Sequence, residues 1–91
     1  MNDAKRRLVH GNEFPYDEPD SWWYEELEDP GPPSLPTDWA HAAARGVVSD
    51  LKGRRGIKDG FNRVDENIRK QIVLDLAAII RQARFLYRKP E

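Results

Sequence analysis

The stretch Trp22-Trp23-Tyr24-Glu25-Glu26-Leu27-Glu28-Asp29 carries the densest recognition chemistry in the chain. Tryptophan and tyrosine rings anchor protein interfaces by filling pockets, and acids beside them steer the segment toward a basic surface. Phe14 and Tyr16 lie just upstream, so Phe14, Tyr16, Trp22, Trp23, Tyr24 and Leu27 form one set of candidate docking residues. A plain structural alternative stands beside that one: the rings cover an apolar line on the chain's own last helix. Glu25, Glu26, Glu28 and Asp29 also resemble an acid/base or magnesium cluster in type. Consecutive acids on a short exposed segment lack the burial that tunes a carboxyl group, so a solvated face is the better account.

A second candidate is the basic run Lys52-Gly53-Arg54-Arg55-Gly56-Ile57-Lys58, whose glycines would let backbone N–H groups approach a phosphate. Its spacing is not that of a phosphate-binding P-loop. With Arg54, Arg55 and Lys58 exposed, it reads first as a solvated connection between helices. His10 and His41 are the two histidines; neither has a second histidine or a cysteine at ligand spacing, nor a recognisable serine partner. No catalytic residue, metal site or cofactor is expected from them.

These candidates sit on a chain of 91 residues without cysteine, so one domain at most and no disulfide to reinforce a small core. Met1 to His10 contain Lys5, Arg6 and Arg7 with no apolar run behind them, and no stretch approaches the ~20 apolar residues of a membrane span. An intracellular protein, or a particle assembled inside a cell, is the expectation. The net charge of −1 conceals an asymmetry. Residues 11–40 hold nine acids and no Lys or Arg, whereas residues 41–91 hold twelve Lys or Arg against six acids. Such a split suits two unlike partners, or one half folded over the other.

Six of the seven prolines fall within residues 1–36, and Pro30-Gly31-Pro32-Pro33-Ser34-Leu35-Pro36 reads as an extended linker. Residues 1–36 are therefore expected to form an extended acidic-aromatic arm, with a short helix over 21–28 capped by Asp20 or Ser21. Beyond Thr37 the pattern turns helical. Thr37 or Asp38 caps a helix over about 38–52, with Trp39, Ala43, Val47 and Leu51 at four-residue spacing and Gly53 as its stop. Gly46 inside it weakens the helix and suits a close helix crossing. Ile57, Phe61 and Val64 add a short turn. A second helix over about 63–88 shows Ile72, Leu76, Ile79, Ala83 and Leu86 as its core stripe, widened by Val73, Ile80 and Tyr87. Leu74, Ala78 and Phe85 make a second apolar line nearly opposite, which places this helix between two neighbours.

The expected fold is thus mainly α: a two-helix hairpin with a long N-terminal arm. A lone hairpin of this size is short of core, so oligomerisation or docking is expected. The first functional expectation is a non-catalytic interaction or assembly subunit, in the style of a small viral particle protein. It docks through the arm and through Leu74 and Phe85. A regulatory inhibitor whose acidic-aromatic segment imitates nucleic acid comes second. A basic nucleic-acid-binding hairpin comes third, favoured by Arg69, Lys70, Arg81 and Arg84 but opposed by the acidic arm. Arg84, Arg88 and Lys89 also suit the helix dipole for purely structural reasons. The expected partner is protein, self or foreign, with nucleic acid second and no membrane.

Overall fold

A computed structural model describes residues 3–24 and 31–87, without the side chain of Tyr24. The described chain is mainly helical, at 72%, with no strand among the described residues. Its helices are α1 (Asp3–Glu13), α2 (Asp20–Tyr24), α3 (Trp39–Lys52), α4 (Lys58–Asn62) and α5 (Glu66–Tyr87). No helix among them is long and apolar enough to cross a membrane.

Helix α3 is the centre of the molecule, and its sequence divides into three faces. Asp38 caps it in an extended conformation, its carboxylate accepting from the His41 N–H at 2.9 Å. Gly53 closes it, its N–H turning back to the Asp50 carbonyl. Ala40, Ala44 and Val48, at four-residue spacing, are fully buried against α5. Ala43, Gly46 and Val47 face α1. His41, Arg45 and Ser49 form the third face, buried and polar; His41 and Arg45 meet the chain between α1 and α3, and Ser49 meets His10 of α1.

Helix α1 lies where an extended arm is expected. Its contact with α3 is backbone on backbone: a Cβ on Gly11 would collide with the Arg45 carbonyl and come within 2.8 Å of the Gly46 nitrogen. A Cβ on Gly46 would stand 3.0 Å from the Leu8 Cα. Gly46 does serve a close crossing, and the helix it admits is α1. Asn12 fastens the crossing by donating to the Ala42 carbonyl at 3.2 Å. The stripe that α1 turns to α3 is narrow, Ala4, Leu8 and Gly11 at i, i+4 and i+7, and its closest contacts are made by glycines.

Helix α5 runs antiparallel to α3. Arg81 meets the cap Asp38 at 2.6 Å and Arg84 lies over the Trp39 ring, while Arg69 at the other end reaches Asp20 of α2. Its buried line is Arg69, Val73 and Ala77, with Ile72, Leu76 and Ile80 packed beside it. The expected core stripe is therefore corrected: Ile79 and Leu86 are exposed, at 63% and 60%, and Ala83 is exposed as well. The cause is Arg69. Its guanidinium is held inside by Asp20 and the Val64 carbonyl, which turns α5 so that a charged residue continues the apolar line. At ~1.5 Å per residue, α5 is also about eight residues longer than α3 can cover. Its last turns run past Asp38.

Candidate functional site

The acidic residues of the N-terminal half do not all point outward. Asp17 and Glu18, brought back by the turn after Pro15, meet the polar face of α3 in a buried ionic cluster. Asp17 Oδ1 lies 3.1 Å from Arg45 Nε, and Asp17 Oδ2 lies 2.8 Å from His41 Nε2. Arg45 is 3% exposed. It donates to the Ser34 carbonyl at 2.8 Å and stands 3.7 Å from Glu18. Ser34 completes the ring by donating its backbone N–H to Glu18 Oε1 at 3.0 Å and bonding the same oxygen through its hydroxyl. Both ends of the proline-rich half, Asp17–Glu18 and Ser34, are thereby tied to one arginine. The Asp17 and Arg45 atoms that face each other are off-axis, so their contact is an ion pair rather than a directed hydrogen bond.

Next to this cluster the chain forms an aromatic cleft. Tyr16 is buried, donates its hydroxyl to the Phe61 carbonyl, and meets the Phe61 ring edge-on at 5.1 Å. Burial raises the Tyr16 phenol above its ordinary value, and Arg69 partly offsets that. Trp22 and Trp23, on α2, are half-buried and pack edge to face at 4.6 Å. The Lys52 ammonium sits 4.7 Å from the Tyr16 centroid and 5.5 Å from that of Trp23. Burial, then repulsion from Arg69 and Lys58, lowers its proton affinity below that of an ordinary lysine. A cavity of about 320 Å³ opens here, and a second of about 190 Å³ shares Tyr16, Trp23 and Lys52 with it.

Sequence reasoning missed a further pairing: His10 Nδ1 lies 2.7 Å from Ser49 Oγ. The two residues are 39 apart in sequence and α1 was not foreseen, so no spacing signal existed. Among the described residues no carboxylate backs the imidazole, and Ser49 is buried. The pair fastens α1 to α3 and has neither the orienting acid nor the access of a nucleophile–base unit.

The candidate docking residues fall into separate places. Tyr16, Trp22 and Trp23 gather at the cleft, and Phe14, half-exposed, lies against the His10 ring at 5.1 Å. Tyr24 ends α2. Glu25, Glu26, Leu27, Glu28 and Asp29 lie outside the described residues. Arg54, Arg55 and Lys58 are exposed on the connection and in α4, with Arg54 bonded to Asp50 at 3.0 Å. Leu74 and Phe85 are on the far side of α5, 53% and 73% exposed, so the Trp22–Trp23 pair does not cover them. Ala78 continues their line, and Ile68, Ile79 and Leu86 form a second exposed row on the same helix. Gln71, bonded to Asp75 at 2.8 Å, separates the two rows.

Compared with known proteins, the chain matches no family model, no curated protein and no solved structure.

Proposed function

We propose that this chain is a non-catalytic assembly subunit that associates with a second copy of itself through the outer face of α5. One observation carries this: five large apolar side chains in the two outward rows of a single helix, Ile68, Leu74, Ile79, Phe85 and Leu86, are each more than half exposed. Scattered exposed apolar residues are ordinary, but two rows of them along one helix mark an interaction surface.

Helix dipoles favour an identical partner. Along α5 the charges are mixed: Arg69 and Lys70 accompany Glu66 and Asp75, while Arg81 and Arg84 already engage Asp38 and Trp39 of the same chain. Two copies of α5 packed antiparallel oppose the two helix dipoles. An isologous two-fold pairing of this kind closes on itself. Among the described residues of the N-terminal half, Tyr16 and Glu18 are buried and Asp17 is engaged with His41 and Arg45 of α3.

Sedimentation velocity on the full chain across a concentration series tests the proposal. Wild type should form dimers, and Leu74→Gln/Phe85→Gln should sediment as a monomer with unchanged helical circular dichroism. A wild-type monomer at the highest concentration, or a double variant that still dimerises, removes the proposal.

A further inference from the structure

The cleft between α1, α2 and the end of α3 lies away from the α5 surface, and its chemistry is different. Its walls come from Arg7 and His10 of α1, Tyr16 of the connection, Trp23 of α2 and Lys52 of α3. Aromatic rings and cations together line a space of about 320 Å³, which is within the usual range for small-ligand pockets.

The cations of this region are unequally matched. Arg45 is neutralised by Asp17 and Glu18, and Arg69 by Asp20. Asp50 is shared between Arg54, at 3.0 Å, and the more distant Arg7, at 3.7 Å. Lys52 meets no carboxylate among the described residues; its ammonium rests on two rings, half-buried, with Arg69 and Lys58 repelling it. Cation–π contact compensates a buried ammonium only in part. Arg54, Arg55 and Lys58, exposed near the Lys52 end of the cleft, add a positive field that draws anions in. His10 uses Nδ1 on Ser49, which leaves Nε2 for a ligand.

We infer that this cleft is a binding site for a small phosphorylated planar molecule of the nucleoside monophosphate class. Lys52 and Arg7 hold the anion, and Trp23 and Phe14 supply the walls for the ring. An anion alone would answer the charge of Lys52 but leave the aromatic walls without purpose. An apolar ring alone would bury the ammonium further. The combination satisfies both, as base stacking with phosphate neutralisation does in single-strand binding sites. A terminal nucleotide of a strand offers the same chemistry as a free nucleotide.

Isothermal titration of the full chain with adenosine 5′-monophosphate at low salt is the test. Binding should be measurable and should weaken by about tenfold or more in Lys52→Met, which keeps the aliphatic stem over Tyr16 but removes the charge-assisted contact. Trp23→Leu should weaken it as well, and Arg84→Met, at the far end of α5, should not. Adenosine and inorganic phosphate alone should each bind more weakly than the nucleotide. A 5′-phosphorylated dinucleotide that binds as tightly as the mononucleotide assigns the site to a strand end; one that binds more weakly assigns it to the free nucleotide. Absence of heat with adenosine 5′-monophosphate overturns the inference, and so does unchanged affinity in a folded Lys52→Met. If that variant does not fold, Arg7→Met replaces it under the same criterion.

Discussion

The segment from His10 to Trp23 and the outer face of α5 have similar raw materials, since both mix large apolar side chains with charges. They are treated in opposite ways. In the first, Asp17, Glu18 and Tyr16 turn inward, and each finds a partner on α3 or α4. In the second, Leu74, Ile79 and Phe85 remain in contact with water along a helix longer than the one beside it. What separates the two is the partner that α3 offers. Its polar face, His41–Arg45–Ser49, selects polar groups from the N-terminal half: the Asp17 carboxylate, the Ser34 carbonyl and the His10 imidazole. Its apolar face, Ala40–Ala44–Val48, is short and narrow and can cover one stripe of α5 only. Local hydrophobicity is a poor guide to which segment turns inward when the central helix has a buried charge on it.

The largest test of that contrast is Arg45→Met. Asp17 and Glu18 would remain buried with no guanidinium between them, and breaking one side of a buried ion cluster costs about 3–5 kcal/mol. Urea unfolding should show a loss of that size, reduced when Asp17→Asn is combined with it. A loss below about 0.5 kcal/mol, the scale of an exposed position, would place the N-terminal segment in the same class as the α5 surface. Gly11→Ala should come next. Alanine favours a helix by about 1 kcal/mol over glycine, yet here its Cβ collides with the Arg45 carbonyl. A net loss of about 1–3 kcal/mol is expected from the overpacking. A stabilised variant would mean that α1 is not seated on α3 in this way.

What the sequence could and could not say follows from the same physics. Helix α3 was legible because its cap Asp38, its stop Gly53 and its small apolar residues all act locally. A helix beginning near Asp20–Ser21, within one residue of the observed start of α2, and the existence of α5 were legible for the same reason. Helix α1 was hidden because its apolar stripe, Ala4, Leu8 and Gly11, is short and narrow, and the glycines that make its closest contacts read as breakers in sequence. The true buried line of α5 was hidden because Arg69 sits on it, and a buried charge is visible only once Asp20 is known to be near. Leu74 and Phe85 were recognised as a second face, whereas the pairings of Asp17 with His41 and Arg45 span 24 and 28 residues and carry no local signature. The joint of His10 and Ser49 belongs to the same long-range class.

On the other side of the contrast, Leu74→Gln/Phe85→Gln should leave the stability of the separated subunit within about ±0.5 kcal/mol, as exposed positions do. Measured at a concentration where wild type is monomeric, that small change isolates the outer face of α5 as surface without an internal role. A loss of several kcal/mol there would mean the face is already core, and the difference between the two regions would disappear.

The smallest effect is expected at the cleft, where a lysine and a tyrosine in contact respond to pH in opposite directions. Lys52 ordinarily titrates at 10.5, and burial together with Arg69 and Lys58 lowers that in the folded chain. Between the lowered value and 10.5 the unfolded chain therefore holds more protons, so stability rises with pH across that window. Tyr16 ordinarily titrates at 10.0 and is raised by burial. Above 10.0 the folded chain holds more protons at Tyr16, so stability falls as pH rises toward its raised value. In wild type the two slopes partly cancel near pH 10. Lys52→Met should remove the rise and leave only the alkaline decline, while Tyr16→Phe should remove the decline and leave the rise. Solvent reaches Lys52, which keeps its change modest. If neither variant alters the alkaline arm of the stability profile, the Lys52 ammonium is solvated rather than held between the rings, and the cleft belongs with the open surface of α5.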